Sequence, residues 1–165
     1  MLRLSLIAWA ASAWACTCVG PDNAKEAAKS IPIVFRGTVS HVEKLPEHPK
    51  MRGRQRFAVT FVVDTYWKGE SEAALTLYDL SPGTDCKGHG YEQGRTYLVF
   101  AQSSKSYDVI LDSTTFWYGW TDLLPEGSRM LEPASCAPGG QVDRDPVRKW
   151  IRELGRGKHP KSGRE

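Results

Sequence analysis

The sequence predicts a mainly β fold: a five-stranded barrel of the oligonucleotide/oligosaccharide-binding (OB) type, with a short N-terminal helix, a C-terminal amphipathic helix and two disulfides. Three observations lead there. Five apolar runs of strand length are separated by connections rich in glycine, proline and serine. Helical spacing occurs in only two segments, one toward each end of the chain. Five strands of this length close into a barrel without leaving long exposed edges, and no internal repeat or second domain interrupts them.

The elements follow in order. Pro21 to Ser30 holds good helix formers behind an Asp-Asn start, which predicts a short helix. Ile33 to Val42 is the first strand, with Ile33, Phe35, Val39 and His41 expected on one face and Gly37 marking a bulge or bend. Two prolines and a glycine make Leu45 to Gly53 a loop. In Arg56 to Trp67, Phe57, Val59, Phe61 and Val63 alternate cleanly, and Lys68-Gly69 ends this second strand. Ala74 to Tyr78 is the third, and the turn region from Ser81 to Gly94 carries Cys86. Thr96 to Ala101 and Tyr107 to Leu111 read as a hairpin across residues 102–106. The pattern lapses from Thr114 to Pro133, where Phe116-Trp-Tyr-Gly-Trp120 reads as a loop folded onto the barrel or as an exposed recognition patch. Asp145 to Leu154 is an amphipathic helix with Val147, Trp150, Ile151 and Leu154 on one face and Gly155 as its stop.

Residues 1–15 read as a secretory signal peptide, because Arg3 precedes an apolar run that ends in the small residues Ala13 and Ala15. A membrane span takes ~20 apolar residues, and no run in the chain reaches that length. Cleavage after Ala15 makes Cys16 the mature N-terminus and implies a secreted or periplasmic protein. Residues 16–155 then form one barrel domain, and residues 156–165 a disordered tail. The chain carries 22 lysines and arginines against 19 acids, a net charge of +3, which is too small to argue for nucleic acid. The basic clusters at 50–56 and in the tail read as a solvated loop and a frayed end.

The motifs of common enzymes are missing. There is no G-x-S-x-G elbow, H-E-x-x-H helix, phosphate loop or dinucleotide fingerprint. His41, His48, His89 and His159 have no partner at ligand spacing. No enzymatic activity and no cofactor are expected, and the chain reads as a monomer that binds another protein.

Cys16, Cys18, Cys86 and Cys136 are an even set in an exported chain, which reads as two disulfides. A Cys16–Cys18 bridge would strain a very small ring, and both remaining pairings tie the N-terminus to distant chain. Each such loop is worth roughly 4–5 kcal/mol in the chain-entropy model. The spacing does not match the C-x2-C of zinc sites. A mature N-terminal cysteine offers its α-amine and carbonyl oxygen in five-membered chelate geometry. The amine's reference pKa is about 7.7–8.0, so a metal takes it deprotonated near neutral pH. A catalytic zinc keeps an open position for such a ligand. Ala13 and the bulky Trp14 argue against lipid modification of Cys16.

Cys16-Thr-Cys-Val19 behind a signal peptide resembles the start of the tissue inhibitors of metalloproteinases and is similar to the wider netrin-like family. The likeness continues through Ile33-Val-Phe-Arg-Gly-Thr-Val39, through Cys86 ahead of Gly94-Arg-Thr-Tyr-Leu-Val-Phe100, and to Cys136. It implies an OB barrel bridged Cys16–Cys86 and Cys18–Cys136, with the Cys16 amine and carbonyl on the catalytic zinc of a target metalloprotease. Thr17 would enter the first primed-side pocket, flanked by Cys18, Val19 and the loop Pro82, Gly83, Thr84 and Asp85. The alternative expectation is an exported netrin-like module that binds a protein or glycan without inhibiting, for which the Phe116–Trp120 cluster speaks.

Overall fold

The computed structural model describes residues 20–47, 55–80, 90–105, 123–125, 127–134 and 136–161. The expected signal segment, the strand at 107–111 and the aromatic cluster at 116–120 lie outside the described residues. Five strands, β1 (Ile33–Lys44), β2 (Arg56–Lys68), β3 (Ala74–Leu80), β4 (Thr96–Lys105) and β5 (Arg129–Pro133), close into a barrel in the order β1-β2-β3-β5-β4-β1. Every neighbouring pair is antiparallel except β3 and β5, which run parallel and meet at Leu77 and Leu131. A two-residue strand, β6 (Gly140–Gln141), adds to β4.

The alternation in β2 directs Val59, Phe61 and Val63 inward, where they meet Phe35, Leu77, Tyr97 and Val99. Phe61 is fully buried and edge-on to Phe35, with ring centroids 5.4 Å apart. β1 and β4 are apolar without alternation at 33–35 and 97–101 because both of their faces are covered there. Val34, Leu98 and Phe100 face outward under α1 (Ala24–Ser30) and α2 (Asp145–Leu154), against Ala24, Ala27 and Val147. The Asn23 side chain accepts the Glu26 amide at 2.8 Å and starts α1. Gly155, at φ 73, ends α2.

β1 bends where expected. Its register against β2 shifts between Arg36 and Gly37, and a Cβ on Gly37 would stand 2.9 Å from the Val62 carbonyl. A further shift between Val39 and His41 alters the facing that the simple alternation predicted. His41 is exposed, and Val42 packs on the inner core instead.

The fourth and fifth strands depart from expectation. β4 runs on through Gln102 to Lys105, the residues expected as a turn, and pairs with β5 at 129–133. Gln102 donates to the Glu132 carboxylate at 2.7 Å across this pair. β5 escapes the pattern because its two apolar neighbours serve different clusters. Leu131 faces the barrel interior, while Met130 lies outside with Leu45 and Ala58. Of the expected tail, residues 162–165 lie outside the described residues, and 156–161 are described. Lys158 exchanges two backbone hydrogen bonds of 2.8 Å with Tyr66, and the Lys161 amide donates to the Ser71 carbonyl at 3.1 Å. Gly157 makes this approach possible, since a Cβ there would come within 2.3 Å of the Thr65 methyl. Lys158 and Lys161 are thus fastened to β2 and to the turn after it by main-chain bonds that a polar sequence does not advertise.

The parallel seam is thin. Beside its single bridge lies a cleft of about 310 Å3 lined by Leu75, Thr76 and Met130, and the Arg129–Glu70 ion pair spans it. Phe61→Ala should lower unfolding stability by about 3–5 kcal/mol in urea titrations. A loss below about 1 kcal/mol would mean that the aromatic contacts at the barrel's centre contribute little.

Candidate functional site

Cys16, Thr17, Cys18, Val19, Pro82, Gly83, Thr84, Asp85 and Cys86 all lie outside the described residues. The segments that lead into and out of them are described, and these converge on one end of the fold. Gly20 abuts the turn after β5, where an added Cβ would fall 2.0 Å from the Cys136 carbonyl oxygen and 3.3 Å from the Cys136 Cβ. Only glycine permits this approach. Cys136 holds φ 56, in the left-handed region that non-glycine residues seldom occupy. Pro21 and Asn23 then carry the chain into α1, whose Ala24 amide donates to Glu153 of α2 at 3.3 Å. The N-terminal segment is thus tied at Cys136 and again at α2.

The loop between β3 and β4 is held at both feet. Asp79, near the end of β3, is buried. On the return limb, the Tyr91 ring stands edge-on to Phe61 at 5.1 Å and to Tyr97 at 5.0 Å. The Tyr97 hydroxyl accepts the Glu92 amide at 2.9 Å and the Gln141 side-chain amide at 3.2 Å. The turn at 92–95 is fastened to β1, since Gly94 donates to the Val39 carbonyl and Val39 to the Arg95 carbonyl. Burial, then the neighbouring Asp79, then Tyr97, push the Tyr91 phenol well above its ordinary value of 10.0. It stays a neutral hydroxyl at physiological pH.

Beside this limb runs a groove of about 340 Å3, lined by Gly90, Glu92 and Gln141 on one side and by Arg144, Pro146 and Trp150 on the other. Sequence reasoning missed it. Helical spacing puts Trp150 on the packed face of α2, where it lies partly buried, but nothing in the chain announces that this face meets β6 and the β3–β4 loop. Among the described residues, no three His, Cys, Asp or Glu side chains gather as a metal site. No helix among them is long and apolar enough to cross a membrane.

The Tyr91 shift has a definite sign. Its folded-state pKa lies above the unfolded value, so its stabilisation is complete below pH 10 and is lost as pH rises through the folded value. Urea titrations between pH 8 and 11 should show stability falling above about pH 10, and falling less steeply in Tyr91→Phe. Parallel pH profiles for the two proteins would remove Tyr91 as the cause.

No family model, no curated protein and no solved structure matches this chain, so its function rests on the site's own geometry.

Proposed function

We propose that this protein is an exported metalloendopeptidase inhibitor, similar to the tissue inhibitors of metalloproteinases, and not an enzyme. Its mature N-terminal Cys16 offers the α-amine and carbonyl oxygen to the catalytic zinc of a target protease. Thr17 enters the adjoining pocket, and Cys18, Val19 and the loop Pro82, Gly83, Thr84 and Asp85 form the ridge around it.

One observation supports this reading: Gly20 is in backbone contact with Cys136. Two residues of chain reach at most about 7 Å, so Cys18 stays within that radius of Gly20. The resemblance implies Cys18–Cys136 and Cys16–Cys86, and the contact at Gly20 is compatible with the first, since bridged Cα atoms lie roughly 4.4–6.8 Å apart. Two such bridges at adjoining positions fix the chelating terminus before it meets its target. Each residue so fixed spares on the order of 1–2 kcal/mol of ordering on binding. The closed order β1-β2-β3-β5-β4, with its parallel β3–β5 seam, supports an OB-type barrel as the frame.

A second reading is a netrin-like module that binds a protein or glycan and inhibits nothing. The groove between Gly90 and Trp150 favours it, because that site needs no free N-terminus.

Two measurements decide. Peptide mapping of the oxidised protein should recover Cys16–Cys86 and Cys18–Cys136, and the crossed pairing would break the link between Gly20 and the chelate. In assays against a panel of zinc endopeptidases, adding one alanine ahead of Cys16, or acetylating its amine, should abolish inhibition with the barrel intact. Inhibition should also weaken below the amine's pKa, where a proton competes with zinc. Equal inhibition by native and acetylated protein would sink Cys16 chelation. Absence of inhibition by every form would leave the binding module.

A further inference from the structure

From the exposed face of α2 and the chain beyond it, we infer a docking surface for a linear anionic polysaccharide. Arg144, Arg148 and Arg152 recur at four-residue steps, so they form one ladder about 12 Å long at a rise of about 1.5 Å per residue. Arg156 follows beyond the Gly155 cap, and all four arginines are exposed. Between residues 144 and 165 there are eight lysines and arginines against three acids, whereas the rest of the chain carries a small excess of acid.

Helix stability does not account for this ladder. Like charges four residues apart repel, and Arg144 and Arg148 stand at the helix N-terminus, where the backbone dipole disfavours cations. Among the described residues, Arg148 alone is partly compensated, by Asp145 at 3.6 Å and by the Asp143 carbonyl. Glu153, the one acid in the second half of α2, is turned toward the Ala24 amide and Lys149. Arg144, Arg152 and Arg156 have no ion-pair partner among the described residues.

The surroundings select the ligand. Guanidinium forks match sulfate, phosphate and carboxylate groups, and a row of forks fits a polymer that repeats them. The apolar face of α2 is spent on the barrel, which leaves nothing to insert into a lipid surface. At its first rung the ladder opens into the groove, where Arg144 stands with Trp150 and Gln141, an aromatic face and an amide suited to a sugar ring. Glu92 on the far wall lies 3.7 Å from Arg95, which offsets its charge. The preference for a polysaccharide over nucleic acid rests on the export reading. The ladder itself needs neither Cys16 nor inhibition.

Heparin serves as the probe, titrated calorimetrically into the full-length protein at 50 and 200 mM NaCl. Binding should weaken steeply with salt, and Arg148→Gln/Arg152→Gln should lower affinity at least tenfold. Lys44→Gln/Lys105→Gln removes the same charge from exposed positions elsewhere and should change affinity less than threefold. Far-UV circular dichroism and the melting temperature of each variant identify any loss of fold. Equal losses in the two variants would reduce the effect to net charge and overturn the proposal. So would tighter binding of duplex DNA or phosphatidylglycerol vesicles through the same arginines, or no heparin binding at low salt.

Discussion

β1 is hydrogen-bonded along both edges, to β2 over its whole length and to β4 over Ile33 to Thr38, and the rest of the molecule depends on that double pairing. A strand cannot serve two curved neighbours while staying straight, so β1 breaks register against β2 at three points. The bulges coil it and turn its apolar residues toward two different cores. Ile33, Phe35 and Val39 fill the barrel, while Val34 faces the helices. Because β1 closes the barrel, the turn at 92–95 is fastened to Val39, and the β3–β4 loop springs from a fixed mouth. Because Val34 is covered, α1 and α2 have a floor, and the N-terminal segment has somewhere to be tied.

What could be read from the residues follows from where the driving force is local. The alternation of β2 and the four-residue rhythm of α2 each report a single buried face, so pattern alone located them. Gly37 was legible for a related reason, since a glycine within an apolar strand signals close backbone approach. β5 was not, because Met130 and Leu131 answer to clusters on opposite sides of the sheet and no period survives. The chain after Gly155 was not legible either, because Lys158 and Lys161 are held through backbone atoms that every sequence possesses.

The candidate site divides in the same way. Four cysteines and a terminal C-x-C are visible in a string of letters, but they leave two pairings open. The contact between Gly20 and Cys136 bears on that choice because it joins opposite ends of the chain, a tertiary fact with no local signature. The groove is hidden for the same reason. Its walls come from the β3–β4 loop, β6 and α2, and none of them contributes a recognisable motif.

The thin seam between β3 and β5 has a consequence for motion. Elsewhere the barrel wall is stitched by ladders of several residues, whereas among the described residues β3 and β5 share one backbone bridge, with the Arg129–Glu70 pair beside it. Local opening takes the path of fewest buried contacts and hydrogen bonds, so the native state parts first along Leu77 and Leu131. Opening there leaves β3-β2-β1-β4-β5 as one continuous sheet, because β1 stays paired with both β2 and β4. An otherwise closed wall has one weak seam, along Leu77 and Leu131.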